Sequence, residues 1–241
     1  MPIINRIAAF HAEMTEWRQD LHRHPELSLQ EVRTSGVVQD KLREFGVDEI
    51  ITGMAKTGVV GVIRGRGPNS AEGGRAIGLR ADMDALPIHE ESGVPHSSQT
   101  PGVMHACGHD GHTTMLLGAA KYLAETRNFD GTVYLIFQPA EENLAGGKIM
   151  VEDGLFERCP MQQVYGLHNW PAAPQGSFLW RVGPTMAAVA NIEITITGKG
   201  AHGAHPYRGN DPIVIAAQIV SALQTIVARS LRAVDAGVVT I

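Results

Sequence analysis

The 241-residue sequence has few of the features that mark secreted, membrane or nucleic-acid-binding proteins. Its two cysteines, Cys107 and Cys159, are too few for a disulfide framework and suit a reducing compartment, so we expect a cytoplasmic protein. No run of 18 apolar residues is present and no apolar stretch follows the N-terminus, which argues against a membrane span and a signal peptide. The net charge is −5 without a basic stripe, which argues against nucleic acid or an anionic membrane as a partner.

The composition is otherwise that of a globular protein, with an excess of histidine. Apolar residues make up 44% of the sequence and charged residues 19%. There are 11 histidines, and most of them lie between His89 and His205. Because histidine is the commonest metal ligand and a frequent general base, we expect the chemistry of this protein in that region.

Hydrophobic periodicity predicts strands that alternate with helices up to about residue 170. Apolar residues at helical spacing from 7 to 21 predict a helix, and Pro25 marks its end. Ser28-Leu29-Gln30-Glu31 has the pattern of a capping box that opens a second helix, which Gly46 closes. Further strands are predicted at 58–63, 76–81, 132–137 and 164–167, and further helices at 113–126 and 146–152. This alternation predicts an α/β sheet that is covered by helices on both faces.

A domain boundary is predicted near Gly183-Pro184. Beyond it, residues 190–197 alternate strictly between apolar and polar, which predicts a strand with one wet face. A helix is predicted over 212–230, with Asp211 as its N-cap, and residues 238–241 predict the start of another strand. Because one strand, one helix and part of a second strand cannot bury a core, we expect the sequence to be an incomplete chain.

Two of the four residue clusters that could carry chemistry surround the pairs Asp82/Asp84 and Cys107/His109. In Arg80-Ala81-Asp82-Met83-Asp84, the two carboxylates point the same way from a strand, although a solvated strand end would show the same pattern. In residues 104–112, MHACGHDGH, a thiolate and an imidazole two positions apart can reach one divalent ion. A His-rich surface loop and a Cys–His nucleophilic pair are the alternatives for this cluster.

The other two clusters are Gln138-Pro139-Ala140-Glu141-Glu142 and Gly166-Leu167-His168-Asn169-Trp170. Adjacent acids can divide the work, one binding a metal and the other acting as general base, although helix-start acids are the alternative. A lone histidine at a strand end is usually structural. All four clusters nevertheless follow predicted strands, where open α/β sheets bind ligands, and together they offer sulfur, nitrogen and oxygen ligands for two ions.

The four motifs, in this order and spacing, resemble the hippurate-hydrolase branch of the aminoacylase/carboxypeptidase di-metal amidohydrolases. GKGAHGAHPYRGNDPI at 198–213 resembles the lid-domain motif of that family. The resemblance covers essentially the whole chain. It implies an α/β catalytic domain with a mixed sheet over residues 1–183, and the first half of an inserted ferredoxin-like lid domain over 184–241. In the family this lid domain mediates homodimerisation.

The resemblance also implies roles for individual residues and a cofactor of two divalent ions, Mn²⁺ or Zn²⁺, with Co²⁺ or Ni²⁺ as alternatives. Related branches have His-x-Asp where this chain has Asp82-Met83-Asp84, which speaks against Asp82 as a ligand and leaves Asp84 to orient one. Glu141 matches the general base, His202 the lid histidine that polarises the substrate carbonyl, and Asn210 a substrate contact. The residues that match metal ligands are Cys107, His109, Glu142 and His168.

The implied reaction is hydrolysis of the amide bond of a small N-acyl amino acid. The family places a further metal-binding histidine and the last part of its catalytic sheet after the lid domain, and neither is present in these 241 residues. We therefore expect residues 1–241 alone to be poorly soluble and essentially inactive. Two alternatives stay open, an inactive fragment that binds metal poorly and a hydrolase that uses Cys107 as its nucleophile.

Overall fold

The computed structural model describes residues 4–70, 74–186 and 188–241. Within them the chain divides into two compact units, residues 1–178 and 179–241. Unit 1 contains the helices α1 to α6 and the strands β1 to β5. The helices are α1 (Asn5–Ala9), α2 (His11–Arg23), α3 (Val32–Phe45), α4 (His109–Thr126), α5 (Gly146–Glu152) and α6 (Leu155–Arg158). The strands are β1 (Glu49–Met54), β2 (Gly58–Arg64), β3 (Ala76–Asp82), β4 (Thr132–Gln138) and β5 (Gln163–Gly166).

The five strands form one mixed sheet in the order β1-β2-β4-β3-β5. β1 and β2 run antiparallel, as do β2 and β4, whereas β3 is parallel to both β4 and β5. The mixed α/β sheet predicted from the sequence is therefore confirmed. The sequence pattern did not predict β1, because its burial alternates irregularly and a bulge interrupts its pairing near Met54.

Helices cover both faces of the sheet, as predicted. On one face, α2, α3 and α4 contribute to a core around Leu42, Leu117 and Phe137. A Cβ at Gly61 in β2 would lie 3.1 Å from the Leu42 side chain, so the glycine lets α3 pack closely on the strand. On the other face, α5 and α6 cover a second core around Met54 and Met150. The apolar run of β4 follows from this arrangement, because a central strand is buried on both faces.

Two helix starts differ from the sequence-based expectation. α4 begins at His109 rather than near residue 113, so His109 and His112 lie in its first turn. The capping-box prediction is wrong. Glu31 is the N-cap of α3 but makes no side-chain cap bond, and the Ser28 hydroxyl donates instead to Asp84. Both side chains that a capping box would use are instead bonded to residues that are distant in the sequence.

Unit 2 contains the long helix α7 (Pro212–Thr225), a 3₁₀ turn at Pro206–Arg208 and a π-helical turn at Ile226–Ser230. Asp211 caps α7 by accepting a hydrogen bond from Ile213, as predicted. The predicted strands at 190–197 and 238–241 are not formed, because no segment of the described chain pairs with them. The assignment of this unit as a lid domain, and the boundary at 183/184, stay predictions.

The helical segment Pro212–Ser230 is long and apolar enough to cross a membrane, judged by length and composition alone. It has 19 residues with a mean hydropathy of 1.5, and the structure buries none of it. Polar residues such as Gln218 and Gln224 interrupt it, which is why no unbroken apolar run is visible in the sequence. Core helices of soluble proteins share this length and composition, and the expected absence of a membrane span stays a prediction.

Candidate metal centre

The parallel strands β4, β3 and β5 end at one edge of the sheet, and this edge gathers the four clusters. In the register of the sheet, Asp82 pairs with Gln138 and Arg80 pairs with Gly166. The acids after β4 and the histidine after β5 therefore leave the sheet beside the end of β3. The start of α4 lies at the same edge, because His112 contacts the side chain of Asp82 and Thr113 donates its hydroxyl to the Asp82 carbonyl.

His109 lies at the centre of this edge and belongs to each of the three groups among the described residues that could hold a metal ion. In one group its ligand atom lies within 4.8 Å of those of Cys107 and His168. In another it lies within 4.8 Å of those of Glu141 and Glu142. The thiol of Cys107 is 3.3 Å from Nε2 of His168. The structure thus brings the four predicted ligands and the predicted base together in unit 1.

Two buried atoms at this centre lack a hydrogen-bond partner among the described residues. They are Nε2 of His109 and Oε1 of Glu142, which lie 3.8 Å apart. Buried polar atoms are almost always paired, so two unpaired ligand atoms that face each other need an explanation. A divalent cation would supply the missing partner for both, and the thiol, imidazole and carboxylate donors fit Zn²⁺ or a similar ion.

Asp84 prepares His109 to be a ligand. Its Oδ1 lies 3.2 Å from Nδ1 of His109, and its Oδ2 accepts hydrogen bonds from Ser28 and from the backbone N–H of Glu142. Burial acts to raise the pKa of Asp84, but these hydrogen bonds outweigh burial and lower it. An ionised Asp84 fixes the proton of His109 on Nδ1 and leaves the lone pair of Nε2 free to bind a metal.

Asp82 is fully buried and is already committed to two partners. Oδ2 is 2.6 Å from Arg80 and Oδ1 is 2.6 Å from Nδ1 of His112. Burial acts to raise the pKa of Asp82, but the hydrogen bond from His112 and the charge of Arg80 overcome it and lower the pKa to about 2. Asp82, His109 and His112 form a third group with closely spaced ligand atoms. Both oxygens of Asp82 thus have side-chain partners, and the expectation that Asp82 is not a ligand stays a prediction.

Sequence reasoning did not assign a role to His112. Its Nε2 accepts the backbone N–H of Asn169 at 2.9 Å, so the proton is on Nδ1 and donates to Asp82. The ring also stacks edge-on with His168, with the ring centroids 4.6 Å apart. The spacing of three between His109 and His112 on α4 was the available signal, because residues three apart share one face of a helix.

The surroundings of Cys107 oppose a role as nucleophile. Burial, together with the negative charges of Glu142, Asp82 and Glu141, raises the pKa of its thiol to about 12. A nucleophilic cysteine requires the opposite shift, since the thiolate is the reactive form.

Two of the predicted site residues, His202 and Asn210, belong to unit 2. His202 lies on an exposed loop, where its Nδ1 accepts the backbone N–H of Ala204 at 3.1 Å. Its ring centroid is 5.5 Å from that of His205. Asn210 exchanges two backbone hydrogen bonds with Lys199, which closes this loop.

Comparison with known proteins shows the family. The chain is 44% identical over 241 residues to the hippurate hydrolase of Campylobacter jejuni, a match that spans all of this chain and 61% of that protein. It is 43% identical over 234 residues to the N-acetylcysteine deacetylase of Bacillus subtilis, covering 97% of this chain and 60% of that protein. The chain therefore spans about three fifths of the length of these curated relatives.

A solved structure agrees with this relationship. The YxeP protein of Bacillus subtilis, described as a dinuclear metal-binding peptidase of the M20 family, superimposes with a TM-score of 0.64 at 43% identity. That match covers 69% of this chain and 45% of YxeP. Residues 78–239 match the sequence profile of peptidase family M20/M25/M40. The chain belongs to the M20/M25/M40 family of peptidases.

Proposed function

We propose that this chain carries the metal centre of a hydrolase that cleaves the amide bond of N-acyl amino acids. The observation that carries the proposal is the pair of buried, unpaired ligand atoms, Nε2 of His109 and Oε1 of Glu142, beside Cys107 and His168. The products are a carboxylic acid and a free amino acid.

Two divalent ions, Mn²⁺ or Zn²⁺ with Co²⁺ or Ni²⁺ as alternatives, are the cofactor that we assign to this centre. Cys107, His109, Glu142 and His168 would hold them, with Asp84 orienting His109. Bound ions of this kind polarise a carbonyl and lower the pKa of water.

The protein supplies the proton transfers. Glu141 is exposed at the centre while its neighbour Glu142 is partly buried beside His109, so Glu141 is free to act on a proton. It takes a proton from the attacking water and returns it to the leaving nitrogen. Asp84 keeps the proton of His109 on Nδ1 throughout, because its other oxygen is fixed by Ser28 and Glu142.

The substrate class follows from the relatives, which are a hippurate hydrolase and an N-acetylcysteine deacetylase. Hippurate and N-acetylcysteine share an amide between an acyl group and an amino acid. His202 as the residue that polarises the carbonyl, Asn210 as a substrate contact, and homodimerisation through residues 184–241 belong to the same proposal. So does a cytoplasmic location, which rests on the two free thiols.

A second candidate is a chain that binds metal but has no turnover. It is favoured by the exposed apolar side chains of α7, with Ile213 76% and Val214 54% exposed. An uncovered apolar face promotes aggregation.

The experiment combines metal content with turnover. The purified chain is loaded with Zn²⁺ or Mn²⁺ and assayed on N-benzoylglycine and N-acetyl amino acids. Cys107→Ala should lower bound metal and, in an active enzyme that contains this chain, turnover with it. In that enzyme Glu141→Gln should keep metal and substrate binding and lower turnover by roughly 100- to 10,000-fold. Glu152→Gln, at an exposed site on α5, is the matched control and should change neither.

Each outcome decides between the candidates. If the native chain binds no divalent ion, the proposed function is wrong. Native chain that binds metal without turnover would favour the second candidate. Full metal and no activity in Cys107→Ala would restore the nucleophile alternative.

A further inference from the structure

Glu31 is a charged residue that the structure buries completely, away from the predicted ligands. It stands at the N-cap of α3, yet its carboxylate makes no capping bond. Burying a carboxylate is costly unless hydrogen bonds compensate, so its contacts indicate what it is used for.

The carboxylate of Glu31 connects two distant turns. Oε1 accepts the backbone N–H of Ala140 at 2.9 Å, and Oε2 accepts the hydroxyl of Thr57 at 2.6 Å. Ala140 lies in the turn that follows β4, and it immediately precedes Glu141 and Glu142. The contact therefore fixes the backbone from which both acids of the candidate metal centre extend.

The backbone around these contacts is strained. Ala140 has a φ of 53°, in the left-handed region that residues with a Cβ rarely adopt. Six non-glycine residues of the described chain have positive φ, and four of them lie close to Glu31 or its partners. Such strain persists only where surrounding contacts impose it, and it concentrates at functional sites. These four residues are Leu29, Ala55, Lys56 and Ala140.

A second carboxylate holds the same turn from the other side. Asp84 accepts the N–H of Glu142 at 3.0 Å, two residues after the N–H that Glu31 accepts. Gly146 closes the turn by donating to the carbonyl of Ala140. The direction of Glu141 and Glu142 is thus determined by two buried acids from separate parts of the chain.

We infer that Glu31 is a positioning residue for the metal centre, which holds Ala140 in its left-handed conformation and so aims Glu142 at His109 and Glu141 at the reacting atoms. This inference rests on the proposed function. The positioning requires a hydrogen-bond acceptor at residue 31 that reaches the backbone N–H of Ala140.

Two variants of Glu31 distinguish the effect of side-chain length from the effect of charge. In Glu31→Gln, the amide oxygen can still accept from Ala140 and the amide nitrogen can donate to the Thr57 oxygen, although the charge is lost. In Glu31→Asp, the charge is kept but the side chain is one methylene shorter and no longer spans to Ala140. The matched control is Asp153→Asn, because Asp153 also accepts the N–H of a left-handed alanine, Ala55 at 2.7 Å, but does not hold the Glu141–Glu142 turn.

The measurement is the affinity of the native chain and the three variants for Zn²⁺ alone, by competition with a chromophoric chelator, with circular dichroism to confirm folding. Glu31→Asp should bind Zn²⁺ roughly 10- to 100-fold more weakly, the usual effect of losing a residue that orients a ligand. Glu31→Gln should stay within about threefold of the native chain, and Asp153→Asn should match it.

Several results would overturn the inference. Equal Zn²⁺ affinity in Glu31→Asp and the native chain would overturn it and leave the proposed function intact. A loss of Zn²⁺ affinity in Glu31→Gln as large as that in Glu31→Asp would also overturn it and leave the proposed function intact. A loss of the same size in Asp153→Asn would mark a general structural effect. If the native chain binds no Zn²⁺, the proposed function and the inference fail together.

Hydrogen exchange of the native chain tests the contact without a variant, in case Glu31→Asp does not fold. The Ala140 amide should exchange much more slowly than an exposed amide, because its hydrogen is bonded to a buried carboxylate. Exchange at the rate of an exposed amide would refute the contact and the inference with it.

Discussion

Replacing Gly108 by alanine should destabilise the protein and weaken its candidate metal centre. Gly108 stands between Cys107 and His109 and caps α4 with a φ of 86°, in the left-handed region. An L-residue in that region costs about 1–2 kcal/mol. The new Cβ would also lie 2.7 Å from Oδ1 of Asn169, so the Asn169 side chain must shift. Relieving this overlap adds about 1 kcal/mol.

Against these costs, alanine reduces the entropy of the unfolded chain, which stabilises the fold by about 0.4–1 kcal/mol. The net expectation for Gly108→Ala is therefore a loss of about 1–2 kcal/mol in the free energy of unfolding.

Gly111→Ala is the matched control, because it is the same substitution three residues later in the same helix. A Cβ at Gly111 meets nothing within 4 Å. Alanine is a better helix former than glycine, so this variant should gain about 0.5–1 kcal/mol. Urea unfolding of both variants without metal gives the two values directly, and Zn²⁺ affinity should fall only in Gly108→Ala. Shifts of the same sign in the two variants would refute the reasoning.

Three further predictions concern Asp82, the two cysteine thiols and His202. The pKa of Asp82, lowered from 3.8 to about 2, should contribute about 2 kcal/mol of stability above pH 4 that is lost as the pH falls through 2. Urea unfolding of the metal-free chain from pH 5 to 2 should show this loss, and Asp82→Asn should lack it. Because burial raises the pKa of the Cys159 thiol to about 11 and that of Cys107 to about 12, iodoacetamide at pH 8 should alkylate both more slowly than free cysteine. In an active enzyme that contains this chain, His202→Ala should reduce kcat more than His205→Ala, and the opposite ranking would show that the wrong histidine was chosen.

Much of the fold follows from local pattern alone. The apolar run of β4 and the Gly46 end of α3 lie where the sequence predicts them. These signals are local because a strand buried on both faces needs a continuous apolar run, and a left-handed helix end favours glycine. β1 was missed since it lies at the sheet edge, where burial imposes no regular alternation.

The motifs predict which residue types can meet at the centre, because each motif follows a predicted strand. Which atoms pair depends on the packing of the fold, since the sheet register sets the distances between residues far apart in the chain. Packing pairs Asp84 with His109 and Asp82 with His112, which two carboxylates two positions apart in the sequence cannot reveal. It also turned Glu31 from an expected helix cap into the acceptor for Ala140, more than a hundred residues later in the chain. A local motif states what a side chain can bond, and packing decides which of the available partners it meets.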